Sequence, residues 1–310
     1  MPCRNRISPI YFAAMVLLAM RGTGCAPVAN YGIWNQMNLA IAGGSIQLQT
    51  PQPLPVGMDD VKDWVQRAAQ AVSSFYGRYP VKQVAIFVLP ARHGGIGGGE
   101  EWDGERIEIH LGPDTTIAEL QDNWMLTHEM FHLSQPDFDD QYQWMSEGMA
   151  DYLEPVARVR IGQITVERFW KDLVEGLPQG LPEAGDGGLD RTHTWGRTYW
   201  GGCLFWLLAD IQIREQTHNQ KSIRDAAKTV LDAGGNGSRH WEFDDYLATA
   251  DRGTGTTVFK TLHDQQGTQP LSVDLPALWK SLGVIYENGQ VTFDNNAPLA
   301  TVRSGITSPH

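Results

Sequence analysis

Cysteine is scarce in this chain. There are three in 310 residues, Cys3, Cys25 and Cys203, and none stands in a C-x-x-C or similar paired spacing. Thiolate ligands to a metal are therefore left out of the reading. Basic charge is also short: 24 Lys and Arg face 36 Asp and Glu, a net charge of -12. A surface of that sign repels phosphate backbones, so no nucleic acid is expected as a partner. Internal repeats and long low-complexity tracts are absent. The glycine-rich stretch 93–99, His-Gly-Gly-Ile-Gly-Gly-Gly, lacks the lysine of a phosphate-binding loop and no helix follows it directly. It reads instead as a flexible hairpin or lid beside an active site. The apolar run Ile10 to Met20 is too short to span a bilayer comfortably.

What is present is ordinary globular composition, 42% hydrophobic and 19% charged, with length for a large core and one or two domains. Eleven tryptophans is a high number, and several fall in apolar helical patterns that mark them as core.

The start of the chain reads as a targeting segment, residues 1–25. Arg4 and Arg6 precede the apolar run, and Thr23-Gly24-Cys25-Ala26 follows it. Small residues before a cysteine resemble a lipobox, in which Cys25 would be lipidated and tether the mature chain to a membrane. Gly22, where leucine is usual, and Arg21 depart from that pattern. Ordinary cleavage with secretion, or an uncleaved anchor, are the alternatives. Each puts the rest of the chain in an extracytoplasmic space, periplasmic or cell-envelope if lipidated. Cys203 then has no partner, and its apolar neighbours suggest a buried thiol.

Residues 26–58 are rich in Gly, Pro, Gln and Asn and read as an extended leading segment, with a β-like piece at Ser45–Gln49. Residues 59–310 are expected to form one domain. Asp59-Asp60 open a helix to Tyr76, on which Val61, Trp64, Val65, Ala68 and Val72 recur at helical spacing. Val84–Leu89 is a continuous apolar run of strand length, and Arg106–Leu111 alternates as a half-buried strand does. Thr115 or Thr116 caps a helix running to Ser134, and Pro136 breaks it. A second helix covers Trp144 to Val159. Helical pieces follow at Ser222–Leu231, Tyr246–Ala250, Val258–Asp264 and Leu275–Leu282, with a hairpin strand at Val291–Phe293.

The chemistry concentrates at Thr127-His128-Glu129-Met130-Phe131-His132. On a helix, positions i and i+4 share a face, so His128 and His132 can point at one zinc ion. Glu129 is turned off that axis but can reach a water on the metal as a general base. The bland reading is two surface histidines on an amphipathic helix. A catalytic zinc wants a third protein ligand, and the next helix offers Glu147. Asp151, four residues on, shares its face and can accept the free ring N–H of a ligand histidine. Gly148 removes bulk where two helices must approach. His110, on an alternating strand, reads as an exposed polar residue rather than a ligand.

H-E-x-x-H followed by W-x-x-E-G-x-A-x-Y at Trp144–Tyr152 resembles the gluzincin zinc metallopeptidases, which include thermolysin and the zinc aminopeptidases. A second block, Tyr199-Trp200-Gly201-Gly202 through Leu207-Leu208-Ala209-Asp210 to Ile213-Arg214, looks like a stretch of the glycyl aminopeptidase family. Gly201 stands where that family has lysine, and the chain is too short to hold both the N-terminal β domain and the PDZ domain often found there. The resemblance implies an α+β, zincin-like (thermolysin-like) fold, with an N-terminal sheet portion, an active-site helix and a mainly helical C-terminal lobe. It implies Zn2+ held by His128, His132 and Glu147, with Glu129 activating a zinc-bound water for attack on a peptide bond. Tyr199 would stabilise the oxyanion, with His193 as a competing electrophile. Strand 106–111 would be the edge that pairs with substrate backbone. Gly98-Gly99-Glu100-Glu101 echoes a substrate-end segment of the family, so Glu100 or Glu101 either holds a free amine or is a solvated loop carboxylate. The expected protein is a monomer acting on a peptide or protein substrate. The alternatives are a non-catalytic zinc-binding cell-envelope lipoprotein with a peptidase fold, and a structural zinc protein.

Overall fold

The computed structural model describes residues 34–309. The targeting segment 1–25, with Cys25, lies outside the described residues. Among the described residues, no helix is long and apolar enough to cross a membrane.

The N-terminal half is a five-stranded mixed sheet with helices packed on it. β1 (Trp34–Ile41) and β2 (Gly44–Pro51) form an antiparallel hairpin. The β-like piece expected at Ser45–Gln49 falls within β2, and the residues 34–41 before it, expected as part of an extended leading segment, form its partner strand. The polar residues of 34–51 alternate with Leu39, Ile46 and Leu48, which are buried, so the hairpin gives one face to the core. After α1 (Met58–Tyr76), the apolar run becomes β3 (Gln83–Pro90), parallel to β2. β4 (Ile96–Trp102) and β5 (Arg106–Leu111) complete the order β1-β2-β3-β5-β4.

One expectation changes here. β5 is paired on both sides, parallel to β3 and antiparallel to β4, so it is interior. The edge on this side of the sheet is β4, which takes up the glycine-rich stretch, expected as a hairpin or lid, as one arm of a hairpin with β5. A register shift between Gly97 and Glu100 marks a bulge in β4. Gly98 sits in the left-handed region, φ 66°, which glycine adopts without penalty. His110 Nδ1 contacts the Gly98 carbonyl at 3.2 Å, so its role is to hold the bulge.

The expected single helix from Thr116 to Ser134 is two. α2 (Ile117–Asp122) is capped by Thr116, whose side chain accepts the Glu119 N–H. Asn123 turns extended, and its Oδ1 accepts the Met125 N–H at the start of α3 (Met125–His132). A residue that bonds the backbone locally competes with the helix, and here it resets the helix direction.

α4 (Gln143–Arg160) packs on α3 and is buried along nearly its whole length. α5 (Val166–Gly176) follows, then a π-helical turn over Arg197–Gly201 that runs into α6 (Gly202–Gln216). α4 and α6 cross at two glycines. A β-carbon at Gly148 would fall 2.2 Å from the Gly202 carbonyl carbon, so only glycine allows this approach. α7 (Ile223–Asp232) begins with a capping box of Ser222 and Asp225. α8 (Phe243–Thr254), α9 (Val258–Gln266), α10 (Leu275–Leu282), the hairpin β6 (Val284–Glu287) with β7 (Gln290–Phe293), and α11 (Ala300–Thr307) complete a mainly helical lobe.

Candidate metal centre

All eight residues of α3 are buried, because the helix is wedged between α1, α4 and the sheet. His128 and His132, one turn apart, bring their Nε2 atoms to 3.2 Å. α4 delivers Glu147, whose Oε2 lies 3.3 Å from His128 Nε2 and 3.5 Å from His132 Nε2. The three atoms form a nearly equilateral triangle. Ligand atoms about 2.0–2.1 Å from a tetrahedral ion are about 3.3–3.4 Å apart. The triangle therefore has the dimensions of one face of a zinc tetrahedron. Charge agrees with size. Glu129, Glu147 and Asp151 place three buried carboxylates against two imidazoles. Gathering buried anionic groups is costly, and a divalent cation there would offset that charge.

The surroundings orient the set. His128 Nδ1 faces Asp151 Oδ1 at 3.0 Å. With Nε2 directed at the metal position, Nδ1 carries the proton, and Asp151 holds that tautomer. Burial pushes the His128 imidazole toward its neutral form. The carboxylates of Asp151 and Glu147 outweigh it and raise its pKa well above the ordinary histidine value. Gln143 Nε2 donates to the second oxygen of Glu147 at 3.5 Å. Trp124 meets the His128 ring edge-on, centroids 5.5 Å apart. The sequence reading missed Gln143 and Trp124, although each lies four residues from a ligand on the same helical face.

Glu129 is buried beside the ligands. Strand β4 passes directly across it: a β-carbon at Gly99 would fall 2.6 Å from Glu129 Oε1 and 2.8 Å from Met125 Cγ. Gly99 thus lets an edge strand approach the candidate base, a requirement the sequence signals only as a run of glycines. Of the two glutamates that follow, Glu101 is buried and lines a cleft with His132. Its Oε1 accepts the Gly104 N–H. Glu100 is half-buried and does not line that cleft.

Tyr199 is 6% exposed and sits in the π-helical turn, which packs against α4, the helix of Glu147. Its ring stacks with exposed Trp195, centroids 6.1 Å apart. His193 lies in the exposed loop before that turn. Cys203 is buried without a disulfide partner; burial raises its thiol well above the ordinary range and nearby Asp151 adds to the effect.

No family model and no curated protein sequence matches the chain. Solved structures do. An aminopeptidase N family protein from Idiomarina loihiensis is similar with TM-score 0.64 and 15% identity, over 82% of this chain and 50% of that one. The M1 zinc metallopeptidase from Deinococcus radiodurans is similar with TM-score 0.51 and 13% identity, over 79% of this chain and 53% of that one. A mutant of that enzyme bound to a Tyr-Ser-Ala substrate gives TM-score 0.50 and 13% identity, over 79% and 54%. The chain spans about half the length of these structures. What it shares with them is the α+β fold of M1 zinc metallopeptidases; within that fold, this chain's own buried group of His128, His132 and Glu147 could hold a metal.

Proposed function

We propose that the chain is a zinc-dependent peptidase, acting on free amino termini. The observation that carries this reading is the buried triangle of His128, His132 and Glu147 with Glu129 beside it under an edge strand. His128, His132 and Glu147 would hold the zinc, which when bound supplies Lewis acidity for hydrolysis at neutral pH. Glu129 takes the proton of the attacking water and hands it to the leaving amine. Its buried position beside Gly99 keeps that carboxylate close to backbone presented along β4. The unpaired edge of β4 binds substrate main chain by adding a strand. Glu101, on the cleft side of β4, holds the free substrate amine. Tyr199 donates its phenol hydrogen to the oxyanion that develops on the carbonyl. The Tyr199 block is what favours the glycyl aminopeptidase-like version of this activity. The basic and apolar start of the chain supports export, with Cys25 as lipid anchor, and action as a monomer.

Glu129→Gln tests the reading. The variant should bind zinc as the wild type does, measured by elemental analysis, and lose about 10²–10⁴-fold in peptide hydrolysis. Hydrolysis at the wild-type rate would overturn it. Full zinc binding with no cleavage of any peptide in a free and N-blocked library, by the wild type, would identify a non-catalytic binding protein instead.

A further inference from the structure

Beyond His132, the metal centre opens into a cleft that reaches past the end of β4. It encloses about 560 Å³ of empty space, mouth included. Glu101, Asp103, Gln135, Asp137 and Ser146 line it with His132. Three of these are carboxylates, and among the described residues no Lys or Arg lines the cleft.

Gln135 is the informative residue. It is only 3% exposed, three residues beyond His132 where α3 has ended. Its Nε2 donates to Ser146 Oγ at 3.1 Å, which anchors the amide to α4. Its Oε1 is buried and has no hydrogen-bond partner among the described residues. A buried amide oxygen left without a donor costs stability, and such groups are normally matched. Gln135 lines the cleft, so a donor brought into the cleft can complete it.

We infer that this cleft is a specificity pocket for a cationic substrate side chain, an ammonium or guanidinium, received by Gln135 Oε1 and by the carboxylates of Asp103 and Asp137. The inference rests on the peptidase reading of the metal centre. A charged donor fits the set because hydrogen bonds from a cation to these acceptors are the strong ones. Glu101, proposed to hold the α-amine, and Asp137, whose side chain is 40% exposed, both line the cleft. A long side chain would lay its apolar stem across Trp102 and Pro136 while its head meets the acceptors.

The test compares argininamide with citrullinamide by calorimetry on the zinc-loaded full chain. Both carry the same α-amine and nearly the same shape, so the difference reports the side-chain charge alone. Argininamide should bind at least about tenfold more tightly. Gln135→Leu should cut the ratio to about threefold or less, and Asp137→Asn, at the exposed rim where folding is not at stake, should lower it as well. Equal binding of the two ligands by the wild type overturns the inference, as does a ratio that neither variant changes, or no binding of either ligand at millimolar concentration. Hydrolysis of peptides without any preference for arginine over citrulline removes the pocket and leaves the peptidase reading standing. A charge-dependent ratio in a protein that cleaves no peptide removes the peptidase reading and leaves the pocket.

Discussion

His128 Nδ1 and Asp151 Oδ1 stand 3.0 Å apart with both side chains buried. A carboxylate in that position fixes which ring nitrogen is free and how the ring is turned, so its loss loosens a ligand it does not replace. Asp151→Asn should weaken zinc binding by about 10–100-fold. Competition with a chromophoric chelator measures this. Unchanged affinity would show that packing alone orients His128.

The same pair sets a pH dependence. In the metal-free protein the carboxylates hold the His128 pKa well above 6.5. A proton on His128 competes with the metal, so zinc affinity should rise with pH until that raised pKa is passed. Metal-free stability should move the other way. A group with raised folded-state pKa contributes its full stabilisation below the unfolded value, and that contribution is lost as pH rises through the folded value. Thermal melts of metal-free wild type and Asp151→Asn should therefore differ most in acid, with the gap closing as pH climbs above the usual histidine range. A gap independent of pH contradicts the assignment.

Two glycines should fail in different ways. Gly148→Ala drives a methyl into the backbone of Gly202 and should destabilise the fold by about 1–3 kcal/mol or more. Gly99→Ala meets the Glu129 carboxylate and the Met125 side chain, which can shift. Its effect should fall on kcat with little change in Tm. Denaturation curves paired with peptide hydrolysis separate the two; equal loss of stability in both variants would refute this division.

For the oxyanion, Tyr199→Phe should lower kcat by about 10²–10³-fold with zinc content intact, the worth of one preorganised donor. His193→Ala, in the exposed loop, should change kcat less than Tyr199→Phe. The reverse order would exchange their roles.

The candidate metal ligands were legible because they obey local rules. His128 and His132 follow helical periodicity, and Glu147 and Asp151 repeat that spacing on the next helix. Gly148 marks a real crossing, with Gly202. The sheet was harder. Whether β4 or β5 is the edge depends on pairing with β3, which no local pattern in 96–111 encodes. Of the hairpin 34–51, Ser45–Gln49 was legible as strand, while β1 was hidden by its polar composition, since only one of its faces is apolar. The break at Asn123 depends on one side chain finding a backbone N–H, an outcome that periodicity does not express. Gln135 carries no motif at all; its unpaired oxygen becomes visible only when Ser146 is placed beside it.

The three candidate ligands are close in sequence as well as in space, with His128 and Glu147 only 19 residues apart. The α4–α6 crossing that braces them comes much later in the chain. Closing a short loop costs little entropy, and contacts between distant segments form slowly. A nascent chain thus has its ligand triangle within reach before the lobe carrying Tyr199 and Gly202 exists. Formation of the candidate ligand triangle and completion of the lobe around it become separable events in time, so a chain truncated after α4 would keep the triangle's residues and lack the crossing that braces them.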